Sequence, residues 1–365
     1  MNTHRLFRPT LAALGAAALF GLSTPLAKPL LQHAPAPLLA GLLYLGSGLG
    51  LTVARLVRDR GLRPTGLAAG DWPWLLAAIG FGGVLGPLLL MLGLGHTGAA
   101  TASLLLNLEA VLTAVLAWVV FRENADRRIV LGMALIVAGG VLLSWSARRE
   151  GAAWGALAIA GACLAWAIDN NLTRKVSAGD AVFIAAGKGW IAGVVNLSIG
   201  WALGGRLPAS GAVAAALLIG FLGYGVSLVL FVVALRGLGS ARTGAYFSTA
   251  PFIGSAVAIL LFGEPAPAVF WIAAGLMAAG VWLHLTERHE HWHRHEALAH
   301  AHRHVHDAHH QHEHDFDWDG AEPHTHPHRH DPLAHSHAHY PDIHHRHDHD
   351  HDHDHDHDHD HDHDR

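Results

Sequence analysis

Ten apolar runs, nearly free of charge, decide what this chain can fold into. They lie at 9–32, 37–56, 72–94, 97–121, 129–146, 153–173, 182–203, 213–235, 241–262 and 268–285. About 20 mostly apolar residues, wound as a helix, cover the ~30 Å hydrocarbon core of a bilayer. Lipid offers no partner to an open backbone group, so the runs are expected as transmembrane helices. A water-soluble core would not repeat runs of this length with so few charges between them. The first run follows Arg5 and Arg8, as a signal peptide would. It continues to Leu31 without a clean small-residue cleavage site after it, so a retained first helix is expected.

Charge divides the chain near residue 285. Residues 1–285 carry eighteen basic and nine acidic side chains, a net of +9, whereas 286–365 carry six and twenty, a net of −14. An apolar body joined to a polar tail makes two physical objects. Within the body, Lys and Arg in short loops set the orientation. With the N-terminus inside, the cytoplasmic segments hold thirteen basic residues: Arg5, Arg8, Arg55, Arg58, Arg60, Arg63, Arg122, Arg127, Arg128, Arg174, Lys175, Arg236 and Arg242. The opposite side holds Arg148, Arg149 and Arg206, the Arg148–Arg149 loop being the discordant one. The expected location is a bacterial inner (cell) membrane, multi-pass, with both termini cytoplasmic. The single cysteine, Cys163, allows no intrachain disulfide and reads as a small core hydrophobe.

The body contains an internal repeat. With Glu123 set against Glu264, an offset of 141, Thr97–Leu142 runs beside Leu238–Leu283. Ala100 then meets Ala241, Phe121 meets Phe262, Gly139 meets Gly280 and Leu142 meets Leu283. The expected fold is an all-α integral membrane protein of ten transmembrane helices in two five-helix repeats, 1–146 and 147–285, followed by a disordered tail, 286–365. An odd number of helices per repeat forces opposite orientations, an arrangement common in secondary transporters, with the substrate site near the midplane. The first span, Leu19–Leu30 with Pro25 and Lys28, and the two copies Thr97–Glu123 and Ala241–Glu264 resemble the EamA family of the drug/metabolite transporter superfamily. The resemblance covers about 9–285. It implies ten helices, both ends cytoplasmic, and export or exchange of small solutes. The second copy carries Pro251 in mid-helix; the first departs from this, with Ala110 at the matching place and Glu109 before it.

Ionisable groups inside spans are functional candidates because their burial in lipid is costly. Glu109, with Asn107 two residues before it, lies near the middle of the fourth run. A carboxylate there can bind a cation, accept a proton or pair with a base; the plainer alternative is an interhelical hydrogen bond from protonated Glu109. Asp169, followed by Asn170, falls late in the sixth run and Lys188 early in the seventh, at similar depth if those helices are antiparallel neighbours. Their pair is either a static tie or part of a gate. Lys28, near the outer end of the first run, is expected to snorkel to the interface; the family resemblance implies a cavity role as the alternative. His96 reads as a lone surface histidine. Pro25 and Pro251 can break helices and free carbonyls for a polar cavity, with Tyr246 and Ser248 in that neighbourhood. The spacings Gly82/Gly86 and Gly151/Gly155 suit close helix packing. Asn171-Leu-Thr173 matches a glycosylation pattern at the cytoplasmic end and is set aside.

From His284 onward the chain carries thirty-one of its thirty-four histidines, and His347–Asp364 alternates His and Asp strictly. Such a segment cannot bury a core, and disorder is expected. His347, His349, His351, His353, His355, His357, His359, His361 and His363 are expected ligands for nickel, cobalt, zinc or copper(II). Loading competes with protons and fades below about pH 6.5. A functionless repeat-slippage product and a histidine pH sensor are the alternatives. The −14 tail can also rest on the basic cytoplasmic loops, within a screening length of about 8 Å.

No nucleophile–base set or phosphate loop appears, so neither an enzyme nor a required cofactor is expected. The expected function is a secondary transporter exporting a small metabolite or a divalent metal ion, with the tail as regulator or buffer. Glu109 and Asp169 are the only carboxylates within the runs, few for a desolvated dication. A second reading is a membrane-tethered metal buffer or sensor that transports nothing. Expected partners are the bilayer and a small-molecule or ion substrate, with no nucleic acid and with a homodimer left open.

Overall fold

The computed structural model describes residues 3–59, 65, 67–121, 127–149, 153–173, 176 and 180–286, and in the tail 290–295, 298–304, 324–330 and 333–338. The body is helical. Its first half comprises α1 (Thr3–Ala27) with a 3-10 turn at Lys28–Gln32, α2 (Ala36–Asp59), α3 (Trp72–Ala78), α4 (Gly86–His96), α5 (Ala99–Leu105), α6 (Leu108–Phe121) and α7 (Arg127–Arg149). The second comprises α8 (Ala153–Thr173), α9 (Ala181–Ala202), α10 (Ser210–Gly220), α11 (Ser227–Phe247), α12 (Ala250–Phe262) and α13 (Ala268–Leu285). A π-helical stretch, Ile79–Leu85, joins α3 to α4, and another, Phe221–Val226, joins α10 to α11.

Among the described residues, eight stretches are long and apolar enough to cross a bilayer, and Ala250–Phe262 and Ala268–Leu283 are shorter apolar helices. The surface agrees with lipid as the solvent. Leu260 is 79% exposed, Leu261 70% and Trp282 66%, while the interior is dominated by Ala, Gly and Leu. Water would penalise such a surface, whereas lipid tails are as apolar as the leucines. This is a multi-pass membrane protein.

Two departures from uniform helix recur in both halves. The π stretches begin at Ile79 and Phe221, and breaks in mid-span fall at Leu106–Asn107 and Ser248–Thr249, each an offset of 142. The fourth run is therefore two helices rather than one. The ninth begins within α11 and resumes as α12, with no loop separating it from the eighth.

Packing obeys the same exchange of halves. α1 lies on α11 as α4 lies on α8, and α1 lies on α12 as α6 lies on α8; α2 packs on α9 and α7 on α13, each the mate of the other, and α5 packs on α12. Glycine permits the closest of these approaches. A Cβ at Gly189 of α9 would lie 2.6 Å from the Gly48 Cα and 2.8 Å from the Tyr44 carbonyl oxygen, both backbone atoms of α2. Overpacking costs about 1–3 kcal/mol where side chains can yield, and here only backbone is in the way. Gly189→Val is therefore expected to lower the melting temperature in detergent sharply and shift the size-exclusion profile towards aggregate; a wild-type profile would refute this account of the α2–α9 contact.

Within the tail, for which the sequence predicts no packed core, β1 (Glu290–His295) pairs antiparallel with β4 (Leu333–Ala338), and β2 (Leu298–His304) with β3 (His324–His330). A two-stranded ladder alone is marginal in water. His347–His363 lie outside the described residues, as does Glu123, one anchor of the repeat alignment.

Candidate functional site

A helix broken inside a membrane must satisfy its freed carbonyls locally. At the first break Asn107 does so: its Nδ2 donates to Leu104 O at 2.9 Å, and the residue is 4% exposed. At the second, Thr249 Oγ1 donates to Tyr246 O at 2.6 Å and Ser248 Oγ to Gly244 O at 2.9 Å. Pro251 sits in the first turn of α12, where its missing N–H costs nothing. It starts a half-helix and kinks none. Pro25 lies in the last turn of α1, just before the 3-10 turn. Tyr246 packs against Ala12, Ala13 and Ala234.

Glu109 opens α6 directly after the first break and is half-buried. Asn170 of α8 donates from Nδ2 to Glu109 Oε1 at 3.0 Å and to Thr113 Oγ1 at 3.3 Å. Its neighbour Asp169 faces the other way. Lys188 of α9 donates to Asp169 Oδ1 at 2.5 Å and to Thr173 Oγ1 at 2.9 Å, and Thr173 Oγ1 also donates to Asp169 Oδ1 at 2.8 Å. The antiparallel placement that the sequence required for this pair is thus realised. Residues 169 and 170 of one helix tie α8 at once to α6 in the first half and to α9 in the second.

Asp169 packs on Gly82 in the first π stretch, and a Cβ at Gly82 would collide with its carboxylate. A π turn leaves carbonyls without their i+4 partner. Three side chains supply donors here: Tyr44 Oη and Trp166 Nε1 each donate to Gly82 O at 2.9 Å, and Asn196 Nδ2 donates to Gly83 O at 3.1 Å. Gly86 lies against Trp166 and Gly155 against Gly93, as small residues at close helix contacts should. Sequence reasoning missed Tyr44, Trp166 and Asn196, because a π turn has no local pattern that marks it.

Lys28 does not snorkel freely. Its Nζ donates to Leu94 O at 2.8 Å and Thr97 O at 2.6 Å, at the end of α4. Nearby, Glu264 accepts from Ala99 N and Ala100 N, both at 2.7 Å. His96 is exposed, as expected of a lone surface histidine. At the opposite end of the bundle, Asp180 caps α9 through Val182 N at 2.9 Å and receives Arg55 Nε at 3.1 Å and Arg58 Nη2 at 3.0 Å. Burial pushes the Asp180 carboxyl up, but the Arg58 hydrogen bond, the two backbone amides and Arg55 together hold it below its ordinary value. The contact is therefore fully present above the ordinary carboxylate range and is lost only as pH falls through the lowered value.

Among the described residues no group of three or more His, Cys, Asp or Glu side chains is placed to hold a metal ion. The arrangement instead offers one partly accessible carboxylate beside a broken helix, next to a buried ion pair that spans two helices.

Comparisons with known proteins agree with this geometry. The chain matches the EamA-like transporter family over residues 8–145 and again over 153–286. An uncharacterized transporter of Methanothermobacter thermautotrophicus is 28% identical over 282 residues, covering 72% of this chain and 82% of that protein. One solved crystal structure superposes with a TM-score of 0.56 at 21% identity, over 75% of this chain and 94% of its own, a likeness of fold alone.

Proposed function

The chain belongs to the EamA-like transporter family, and from that premise we propose a secondary active transporter that exports a small solute across a bacterial inner membrane. The observation that carries this is Glu109, held at a mid-span helix break and bonded to Asn170 across the two halves. An intramembrane carboxylate beside discontinuous helices is the chemistry of a substrate or coupling-ion site. The two halves, 1–146 and 147–285, act as inverted repeats with the site between them. Both termini face the cytoplasm, as the thirteen-to-three bias of basic residues favours. A metabolite suits the body better than a desolvated dication, because Asp169 is already neutralised by Lys188 and, among the described residues, no three His, Cys, Asp or Glu side chains are grouped to hold a metal ion. The decisive experiment is flux in proteoliposomes, offering amino acids and nickel, cobalt and zinc ions to full-length protein and to residues 1–285. Metabolite flux that survives removal of the tail is the expected result; no flux of any solute would leave the tethered-buffer reading.

The tail, with its −14 charge and alternating His and Asp, serves as a metal buffer or regulator at the inner mouth. Full-length protein in equilibrium dialysis is expected to bind several nickel ions at pH 7.5, to lose most of them about one unit below the ordinary histidine value of ~6.5, and to bind none once 286–365 is removed. Equal binding with and without the tail would sink this assignment.

A further inference from the structure

The two halves differ where the third span meets the fourth. In the first half the chain bends: α4 ends at His96, Thr97 is extended at φ −133 and ψ 145, and α5 starts at Ala99. In the second half the matching positions, Leu238 to Ala241, lie inside the uninterrupted α11. The bend is held by two charged side chains from elsewhere. A starting helix exposes unpaired amides and an ending one unpaired carbonyls, with partial charges of opposite sign. Glu264, which follows the left-handed Gly263 at the end of α12 (φ 63), gives one carboxylate oxygen to each of Ala99 N and Ala100 N. Lys28 covers the carbonyls of Leu94 and Thr97. Both charges match the helix ends they meet. Gly98 leaves room for this, since a Cβ there would stand 3.0 Å from Glu264 Oε2. Four segments, drawn from both halves, thus close on one point at the end of the bundle away from Asp180.

We propose that Glu264 and Lys28 are the outer gate of the transporter, shut in this structure, and that the gate opens when Glu264 leaves the α5 amides while α11 takes up the corresponding bend on the inner side. The proposal rests on the transporter reading. Two pseudo-equivalent halves, one bent and one straight, are one end of an exchange whose other end swaps the two shapes. Glu264 is the group that couples them, because it belongs to the second half and holds the bend of the first.

Ser103 provides the probe. It is fully buried, one turn into α5 from the clasped amides and against Gly254 of α12. Cys163 is the only cysteine and becomes Ser in the parent protein. In intact cells of a C163S/S103C protein, a membrane-impermeant maleimide added outside is expected to label the thiol introduced in α5 slowly. E264Q, E264A and K28M are each expected to raise that rate by about tenfold or more, as the closed population is destabilised. An unchanged rate in both Glu264 variants, with protein monodisperse by size exclusion, overturns the gate. The labelling rate reads opening without any solute. Faster labelling in a protein that moves no solute would support the gate and count against transport; measurable flux with unmoved labelling would do the opposite.

Discussion

Glu109→Gln is expected to cut solute flux in proteoliposomes by about tenfold or more while leaving helix content and size-exclusion profile as in wild type, since the change removes an in-span carboxylate that is bonded to the Asn170 amide rather than to a base. Gln has nearly the same shape, and its carbonyl oxygen can still accept the Asn170 Nδ2 bond that now spans 3.0 Å. Packing at the start of α6 and the link to α8 should therefore persist. What disappears is the negative charge and the ability to take up and release a proton. A transporter that uses Glu109 to bind a cationic group or to exchange it for a proton stops. A membrane-tethered metal buffer is indifferent, because its ligands lie in 286–365. Flux above half the wild-type value in the Gln variant would remove Glu109 from the transport path and with it the main support for the site proposed here.

The ten apolar runs could be read directly, because lipid imposes one rule on every residue of a span and the rule is written in length and hydropathy. The pairing of Asp169 with Lys188 was legible for a related reason: two opposite charges at similar depth in adjacent helices have few alternatives. The mid-span breaks were only half legible. Asn107, Ser248, Thr249 and Pro251 mark them, but whether a polar residue caps a broken helix or bonds back within a continuous one depends on neighbours the sequence does not name. Lys28 shows the limit. Near the end of an apolar run it reads as a snorkelling side chain, and only the fold brings the carbonyls of Leu94 and Thr97, sixty-six and sixty-nine residues away, within reach. Glu264 fits the repeat as a marker, while its bonds to Ala99 and Ala100 depend on where α12 ends relative to α5. The two π stretches were invisible, since a single extra residue per turn leaves the apolar pattern almost unchanged.

Asp169→Asn, made alone, is expected to destabilise the protein strongly, for it leaves the Lys188 ammonium buried with only neutral acceptors, Thr173 Oγ1 and the amide oxygen at 169, and no countercharge. The side chains of Lys188 and Asp169 are only 16% and 12% exposed. Breaking a buried pair from one side typically costs about 3–5 kcal/mol, whereas replacing both partners by neutral groups of similar volume is often neutral or stabilising. Asn at 169 keeps the acceptor for Thr173 and, being nearly isosteric with Asp, the close contact with Gly82. The double variant Asp169→Asn/Lys188→Met should consequently recover most of the lost melting temperature. Its flux separates the two roles the pair can have. A static tie between α8 and α9 has done its work once the helices are packed, so the double variant would transport normally. A pair that must open and re-form as Asn170 pulls on Glu109 cannot be replaced by a neutral couple. Because Asp169 and Asn170 are consecutive on α8, any displacement of Glu109 that drags Asn170 also loads the Lys188 bond, and the expected result is a stable double variant with flux below about one-tenth of wild type, a loss of the size that removing a required charge produces. Recovery of flux together with stability would reduce the pair to scaffolding.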